Sequence, residues 1–396
     1  MPDRSWDVVV VGGGPAGAAT SAHLAERGHR VLLLDRDGFP RPKPCGECLN
    51  PAAVRLLAEL GVLPQLLTSG AAPLLGWRIH PAAGPAFAGR LPAGEPGMAI
   101  SRTVLDSLLL DRARSRGVEV RTGARVLDLL HEEDRVAGVR VRDAEGEERE
   151  VRARLVIGAD GLRSVVVRRL GLIRRPPRLR KVALTAHVRG LEGLEGYGEF
   201  HIFPERYIGV AAVGTDAANI TVVAAGEEVG AVAGDAAGYF DRALGAAPRF
   251  AGAERLDEVL ATGPFDWPTR SAVADGALLV GDAAGYYDPF TGQGIFRALR
   301  GAELAAETAD AALRSGDISA RALAPYDRAQ RRAFAPGVRL QQLLELFISR
   351  RPLLNAVAPR LSRHPAMVEA LLAVTGDLAP VRSLLRPGLR FVLPFA

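Results

Sequence analysis

Asp7-Val8-Val9-Val10-Val11-Gly12-Gly13-Gly14-Pro15-Ala16-Gly17 is the stretch on which the fold turns. The valine run has the pattern of a parallel strand buried on both faces. Gly12 permits a tight turn, Gly14 lets backbone approach a pyrophosphate, and Gly17 lets a helix pack close to the strand. The alanine-rich segment 18–27 then reads as a helix with Gly28 as its C′ residue. Its start, at Pro15 and Ala16, turns free N–H groups and a positive dipole end toward a phosphate. Val31-Leu32-Leu33-Leu34 is the second strand, closed by Asp35 and Arg36. A carboxylate there is placed to accept hydrogen bonds from an adenosine ribose. The unit predicts a dinucleotide-binding α/β domain, and by itself it does not separate NAD from FAD.

The chain has 396 residues, 48% hydrophobic and 24% charged, which fits a globular protein of two domains. Its formal charge is +5, with lysine only at Lys43 and Lys181. The arginines are scattered among acids, which argues against a nucleic-acid face. Cys45 and Cys48 are the two cysteines. They exclude a disulfide framework and a four-cysteine zinc site, and no metal site is expected. Asp3, Arg4 and Asp7 lead straight into the first strand without a signal-peptide pattern. No apolar run approaches the ~18 residues a membrane span needs. The expectation is a soluble cytoplasmic protein.

Asn50-Pro51 makes an N-cap and N1 pair for a helix to about Leu60. Segment 102–116 reads as an amphipathic helix, and 118–120, 126–130 and 136–141 as short strands. Leu155-Val156-Ile157 is another buried run, opening onto Gly158-Ala159-Asp160-Gly161. Segments 182–188, 199–203, 207–213 and 219–224 predict a mainly antiparallel sheet. The buried-strand pattern returns at 277–280, and 294–313 reads as one helix. The remainder is expected to be helical, with breaks at Pro336, Pro352, Pro359 and Pro365.

Gly158-Ala159-Asp160-Gly161, with Ser164 and Arg168 after it, resembles the DG motif of the para-hydroxybenzoate-hydroxylase-like flavoproteins. Gly281-Asp282-Ala283-Ala284-Gly285, continuing through Asp288-Pro289-Phe290-Thr291-Gly292-Gln293-Gly294-Ile295, resembles their GD motif. The resemblance implies FAD, held by a Rossmann-like domain beside an antiparallel substrate sheet. It implies that Asp282 bonds the ribityl chain and that the segment from Pro289 to Gly294 and Ile295 covers the flavin ring. Val126, Asp160, Gly161 and Gly281 are implied as further cofactor contacts. The physics agrees, since Gly292 and Gly294 allow backbone to lie against a flat ring. A helix beginning at Gly294 would stabilise negative charge at the pyrimidine edge.

Arg41-Pro42-Lys43-Pro44-Cys45-Gly46-Glu47 is similar to the Cys-Gly segment of geranylgeranyl-reductase-like proteins. Ser101-Arg102-Thr103-Val104-Leu105-Asp106 is similar to their Arg-x-x-Phe-Asp helix start, with Leu105 in place of Phe. This branch implies that Cys45, Gly46 and Arg102 lie at the cofactor. The sequence departs from it at Glu199-Phe200-His201-Ile202-Phe203-Pro204, where reductases of the branch carry Tyr-x-Trp-x-Phe-Pro. The substrate class therefore widens from isoprenoids to hydrophobic, aromatic or polyketide-like small molecules. Flavin-dependent halogenases carry Trp-x-Trp-x-Ile-Pro, which Phe265-Asp266-Trp267-Pro268 does not match.

The expected activity is hydride transfer through flavin N5, with NAD(P)H as a transient reductant because there is one dinucleotide fingerprint. The alternative is a monooxygenase in which reduced flavin meets O2; a non-catalytic flavin sensor is a third reading. Candidate catalytic residues are Cys45 beside the flavin, His201 as acid or base, and Tyr287, next to Tyr286, in the pocket. Cys45 and Cys48 precede a helix start, a position that lowers a thiol pKa, so a redox dithiol is weighed against a flavin-side Cys45. Segments 1–75, 98–175 and 263–335 are assigned to the FAD-binding domain, 76–97 and 176–262 to the substrate domain, and 336–396 to a C-terminal helical region. In that region Arg350, Arg351, Arg360 and Arg363, with Leu353, Leu354, Val357 and Leu361, could form an amphipathic face for peripheral membrane contact or a lipid-like substrate, weighed against the favoured reading of a solvated helix pair.

Overall fold

The computed structural model describes residues 6–385. Asp3 and Arg4 lie outside the described residues. The strand Trp6–Val11 is the centre of a parallel sheet. It pairs with Val31–Leu34 on one side and with Glu148–Gly158 on the other. Glu119–Arg121 and Ala277–Leu279 extend that sheet, also in parallel. Val8, Val9, Val10, Leu32, Leu33, Val156, Ile157, Leu278 and Leu279 are completely buried. Each such side chain contributes about 1.5–3 kcal/mol relative to an exposed one, so the sheet centre is a large stabilising unit.

Helix Pro15–Glu26 packs on this sheet beside Arg102–Ser115 and Gly294–Ser315. Ser101 caps the second of these through its side chain, and Asn50 caps Pro51–Glu59 in the same way. The chain leaves the first helix through Gly28 at φ +89°, the left-handed conformation that glycine adopts without cost.

A second sheet follows the order Glu254–Arg255, Lys181–Arg189, Ala217–Ala225, Arg206–Val213, Tyr197–Phe203, Gly76–His80, Phe87–Arg90. Neighbours in it are antiparallel except where Tyr197–Phe203 meets Gly76–His80 in parallel. This sheet and the parallel one face each other across the cleft described below.

The expected proline breaks divide into two kinds. Pro352 and Pro365 stand in the first turns of helices Arg351–Arg363 and Pro365–Thr375, where a missing N–H costs nothing. Pro336 and Pro359 do not break the chain: helix Ala320–Ser349 runs through Pro336, and Arg351–Arg363 runs through Pro359. Each loses one hydrogen bond, and tertiary packing on both sides carries the helix past it. The amphipathic face is also corrected. Leu354, Ala358 and Leu361 are buried in a cluster with Phe87 and Ile202. The apolar side of that helix is spent on the second sheet instead of a membrane. No helix among the described residues is long and apolar enough to cross a membrane.

Candidate functional site

A cleft of about 920 Å³ runs between the two sheets. On one side it is lined by the glycine turn, by Asp35 and Arg36, and by Val126, Asp160 and Gly161. Gly281, Asp282, Pro289, Gly292, Gly294 and Ile295 continue that wall. Segment 41–48, with Cys45 and Gly46, and Arg102 close one end, and strands of the second sheet form the opposite wall.

The glycine turn is built by close approach. A Cβ on Gly17 would lie 1.8 Å from the Gly12 carbonyl oxygen, so the helix can start here only with glycine. A Cβ on Gly12, at φ +107°, would lie 2.5 Å from the Ala159 carbonyl oxygen. Asp35 steadies the turn: its Oδ2 accepts from the Gly13 N–H at 2.6 Å and its Oδ1 from the Asp37 N–H at 2.9 Å. Arg102 is fixed by a two-pronged hydrogen bond to buried Asp106, both contacts at 2.8 Å. Arg41 approaches the same carboxylate at 3.4 Å, so two guanidinium groups face the cleft end from defined positions.

Two carboxylates line the cleft incompletely satisfied. Asp160 accepts from the Val165 N–H at 2.6 Å through Oδ2, while Oδ1 is buried and has no partner among the described residues. Asp282 accepts no side-chain hydrogen bond among the described residues, and burial pushes its carboxyl up. A buried acceptor without a donor costs free energy until a ligand supplies one.

Opposite, Trp77 stacks on Phe200 at 4.6 Å between centroids, and Phe200 meets Phe290 at 4.6 Å. Tyr207 closes the group edge-on to Phe290 at 5.3 Å. The Trp77 ring lies where a side chain on Gly198 would be, since a Cβ there would come within 2.5 Å of it. Gly209, Ala211, Ala183, Thr185 and Thr221 make a floor of small residues beside this aromatic wall.

Three residues singled out from sequence lie differently. His201 follows Phe200 and points to the other face of the strand, as alternation requires. There it stacks in parallel on His80 at 4.3 Å and bonds Glu199 at 2.9 Å, beside a separate cavity of about 350 Å³. Burial works against ionisation of Glu199, but hydrogen bonds from His201 and Arg249 hold its carboxyl at about 2. His80, Glu199 and His201 bring ligand atoms within 4.8 Å of one another, yet parallel rings cannot aim both lone pairs at one ion, and Arg249 occupies the carboxylate. Tyr287 is absent from the cleft wall, which Tyr286 lines instead. Tyr286 pairs with Trp267 in an extended bridge, so the next side chain turns away. Finally, Cys48 sits in the strand Cys48–Leu49, and burial pushes both the Cys45 and Cys48 thiols up, against the lowering expected from a helix start. The helix begins beyond them, at Pro51, with Asn50 as its cap.

The model of the FAD binding domain matches residues 5–223. A digeranylgeranylglycerophospholipid reductase of Methanosarcina acetivorans is 32% identical over 323 residues, covering 79% of this chain and 77% of that protein. The chain belongs to the geranylgeranyl-reductase-like family of FAD-dependent oxidoreductases. A family member of the same name from Methanopyrus kandleri is 33% identical over 337 residues, covering 81% of each chain. The solved structure of a geranylgeranyl bacteriochlorophyll reductase-like protein from Thermoplasma acidophilum shares the fold, with TM-score 0.82 and 23% identity over 98% of this chain and 99% of that one. The FAD-dependent halogenase of myxobacterial chondrochloren is similar with TM-score 0.79 and 26% identity, over 87% of this chain and 82% of that one.

The cleft of this family member suits FAD on its own geometry. Nothing lies within 4 Å of where a Cβ on Gly292 or Gly294 would stand, so backbone is bared to the cleft there. The glycine turn and Arg41, Lys43 and Arg102 suit a pyrophosphate, and the under-satisfied Asp160 and Asp282 suit hydroxyl-bearing groups. Sequence reading missed Trp77 and Phe200 as wall residues. The period-2 alternation of segment 199–203 carried the signal, because Phe200 and His201 cannot share a face. It also missed His187 and Asn219, whose partner is 140 or more residues away in the chain.

Proposed function

We propose that the protein is a flavin-dependent reductase that saturates a double bond in a hydrophobic small molecule, with NAD(P)H as transient reductant. One observation carries this: a single cleft joins the dinucleotide turn to a chamber walled by Trp77, Phe200, Tyr207 and Phe290. In this reading segments 1–75, 98–175 and 263–335 hold the cofactor, and 76–97 with 176–262 hold the substrate.

When bound, FAD supplies hydride acceptance and donation at N5. The start of helix Pro15–Glu26, with Gly12 and Gly14, would receive the pyrophosphate, and Arg41, Lys43 and Arg102 would offset its charge. Asp35, Arg36 and Val126, whose segments are joined by the Ala124 N–H donating to the Asp35 carbonyl, would hold the adenosine end, and Asp160, Gly161, Gly281 and Asp282 would hold the rest of the cofactor chain. Pro289, Gly292, Gly294, Ile295, Cys45 and Gly46 line the same cleft and would hold the ring. The aromatic wall excludes water and grips the substrate. Saturation also needs a proton at the second carbon. Tyr286 lines the cleft and carries its proton at neutral pH, as any tyrosine does, so it is the proposed donor; burial, which holds its hydroxyl above the ordinary tyrosine value, keeps that proton from being lost between turnovers. The relatives are named for a digeranylgeranylglycerophospholipid, which supports an alkene substrate.

The test is anaerobic incubation of the FAD-loaded protein with NADH or NADPH and a panel of polyprenyl and polyketide alkenes. Oxidation of the nicotinamide with a product heavier by two hydrogens is expected. No oxidation with any member of the panel would overturn the proposal. The stacked Trp77 and Phe200 also suit a planar aromatic ring, which favours the monooxygenase as second reading. A product heavier by one oxygen atom, formed only in air, would decide for it.

A further inference from the structure

Glu47 lies in segment 41–48 at φ +58°, a conformation that side chains other than glycine rarely adopt, and is 4% exposed. Three donors converge on its carboxylate. The Arg102 N–H donates to Oε1 at 2.7 Å, His187 Nε2 lies 2.7 Å from Oε2, and Asn219 Nδ2 donates to Oε2 at 3.3 Å. Asn219 Nδ2 also donates to the Cys45 carbonyl at 3.0 Å. His187 and Asn219 are register partners on adjacent strands of the second sheet. One carboxylate thus joins the Cys45 segment, the start of helix Arg102–Ser115 and the second sheet.

The other imidazole nitrogen, Nδ1, lies 2.6 Å from Asp257 Oδ2. A neutral imidazole carries one N–H and one lone pair. Here both nitrogens face carboxylate oxygens, so both carry protons and the ring is an imidazolium. Hydrogen bonding to Glu47, opposed by burial and aided by Asp257, raises His187 to about 9. The neighbouring cations are turned elsewhere: Arg102 to Asp106, Arg255 to Asp241, and Arg189 to Glu254.

We propose that Glu47 is a positioning residue: through a proton kept on His187 it holds the Cys45 and Gly46 backbone and the Arg102 helix start against the second sheet. Its effect on turnover rests on the reductase reading; the contact itself does not. Neither Glu47 nor His187 needs to touch substrate.

The test uses the full FAD-loaded chain, labelled with ¹⁵N-histidine, with His187→Gln for assignment. In the wild type both His187 nitrogens are expected to be protonated at neutral pH, with a midpoint near 9. Glu47→Gln should move that midpoint down by about one unit or more, because a neutral amide no longer favours the imidazolium. Amide exchange across residues 41–50 should quicken about tenfold in Glu47→Ala, with Glu47→Gln in between, as local opening becomes easier. Turnover should fall in the same order. If Glu47→Ala does not fold, Glu47→Gln and the wild-type pH series give the same reading. A wild-type midpoint near 6.5, unchanged exchange, or loosened exchange with unchanged turnover would each overturn the proposal. A wild type with no turnover but the expected midpoint and exchange would overturn the reductase reading and leave the contact standing.

Discussion

The Gly13 N–H donates to the Asp35 carboxylate at 2.6 Å, so the residue that ends the second strand also holds the glycine turn after the first. Asp282, also in the cleft wall, accepts no such bond among the described residues. The two aspartates therefore differ in what they stabilise. Asp35→Ala should lower the melting temperature of the apoprotein and weaken FAD, because it strands the Gly13 N–H at a cost of about 1–3 kcal/mol. Asp282→Ala should leave the apoprotein as stable or more so, since burial disfavours its charge, and weaken FAD by about 2–3 kcal/mol. Melting curves of both apoproteins, with FAD titrations, check the contrast. A large loss of apoprotein stability in Asp282→Ala would contradict it.

Gly17 and Gly294 make a second contrast. Gly17→Ala places a methyl group 1.8 Å from the Gly12 carbonyl oxygen, and the helix must move away. A loss of about 1–3 kcal/mol or more is expected in denaturant unfolding. Gly294→Ala meets nothing within 4 Å and improves helix propensity, so folding should be unharmed while FAD affinity falls.

Phe200→Leu should keep FAD and raise the KM of the hydrophobic substrate several-fold, because the stack on Trp77 is lost. His201→Asn should leave KM and kcat near wild type and lower stability instead, because Glu199 loses a donor. Steady-state kinetics beside melting curves separate the two. A kinetic defect in His201→Asn with normal stability would restore His201 to the chemistry.

The His187 contribution to stability has a defined pH window. Its folded value, about 9, stands above the ordinary 6.5, so the charged ring favours the folded state. That stabilisation is complete below 6.5 and is lost as pH rises through about 9. The difference in melting temperature between wild type and His187→Gln should be widest in mildly acidic buffer and close above the upper value. A gap that widens with pH would mean the ring is neutral in the fold.

The parallel sheet was legible because its strands are continuous apolar runs, and the motifs stand at their ends. Val8 to Val11, Leu155 to Ile157 and Ala277 to Leu279 are adjacent in space as in pattern. The substrate side was less legible. Its wall depends on which residues of a strand share a face, and attention to the histidine in segment 199–203 selected the wrong parity. The Glu47, His187 and Asp257 group was not legible at all, because its members come from three distant segments and carry no local spacing. Proline arithmetic failed at Pro336 and Pro359 because packing on both sides of a helix outweighs one missing hydrogen bond.

The most direct measurement is the flavin content of the purified chain. The protein should be yellow and release one FAD per chain on denaturation, and the stripped protein should take FAD up again on titration, with Gly294→Ala and Asp282→Ala binding more weakly than wild type. Colourless protein that takes up no FAD at any concentration, or affinity indifferent to both substitutions, would contradict the assignment of this cleft.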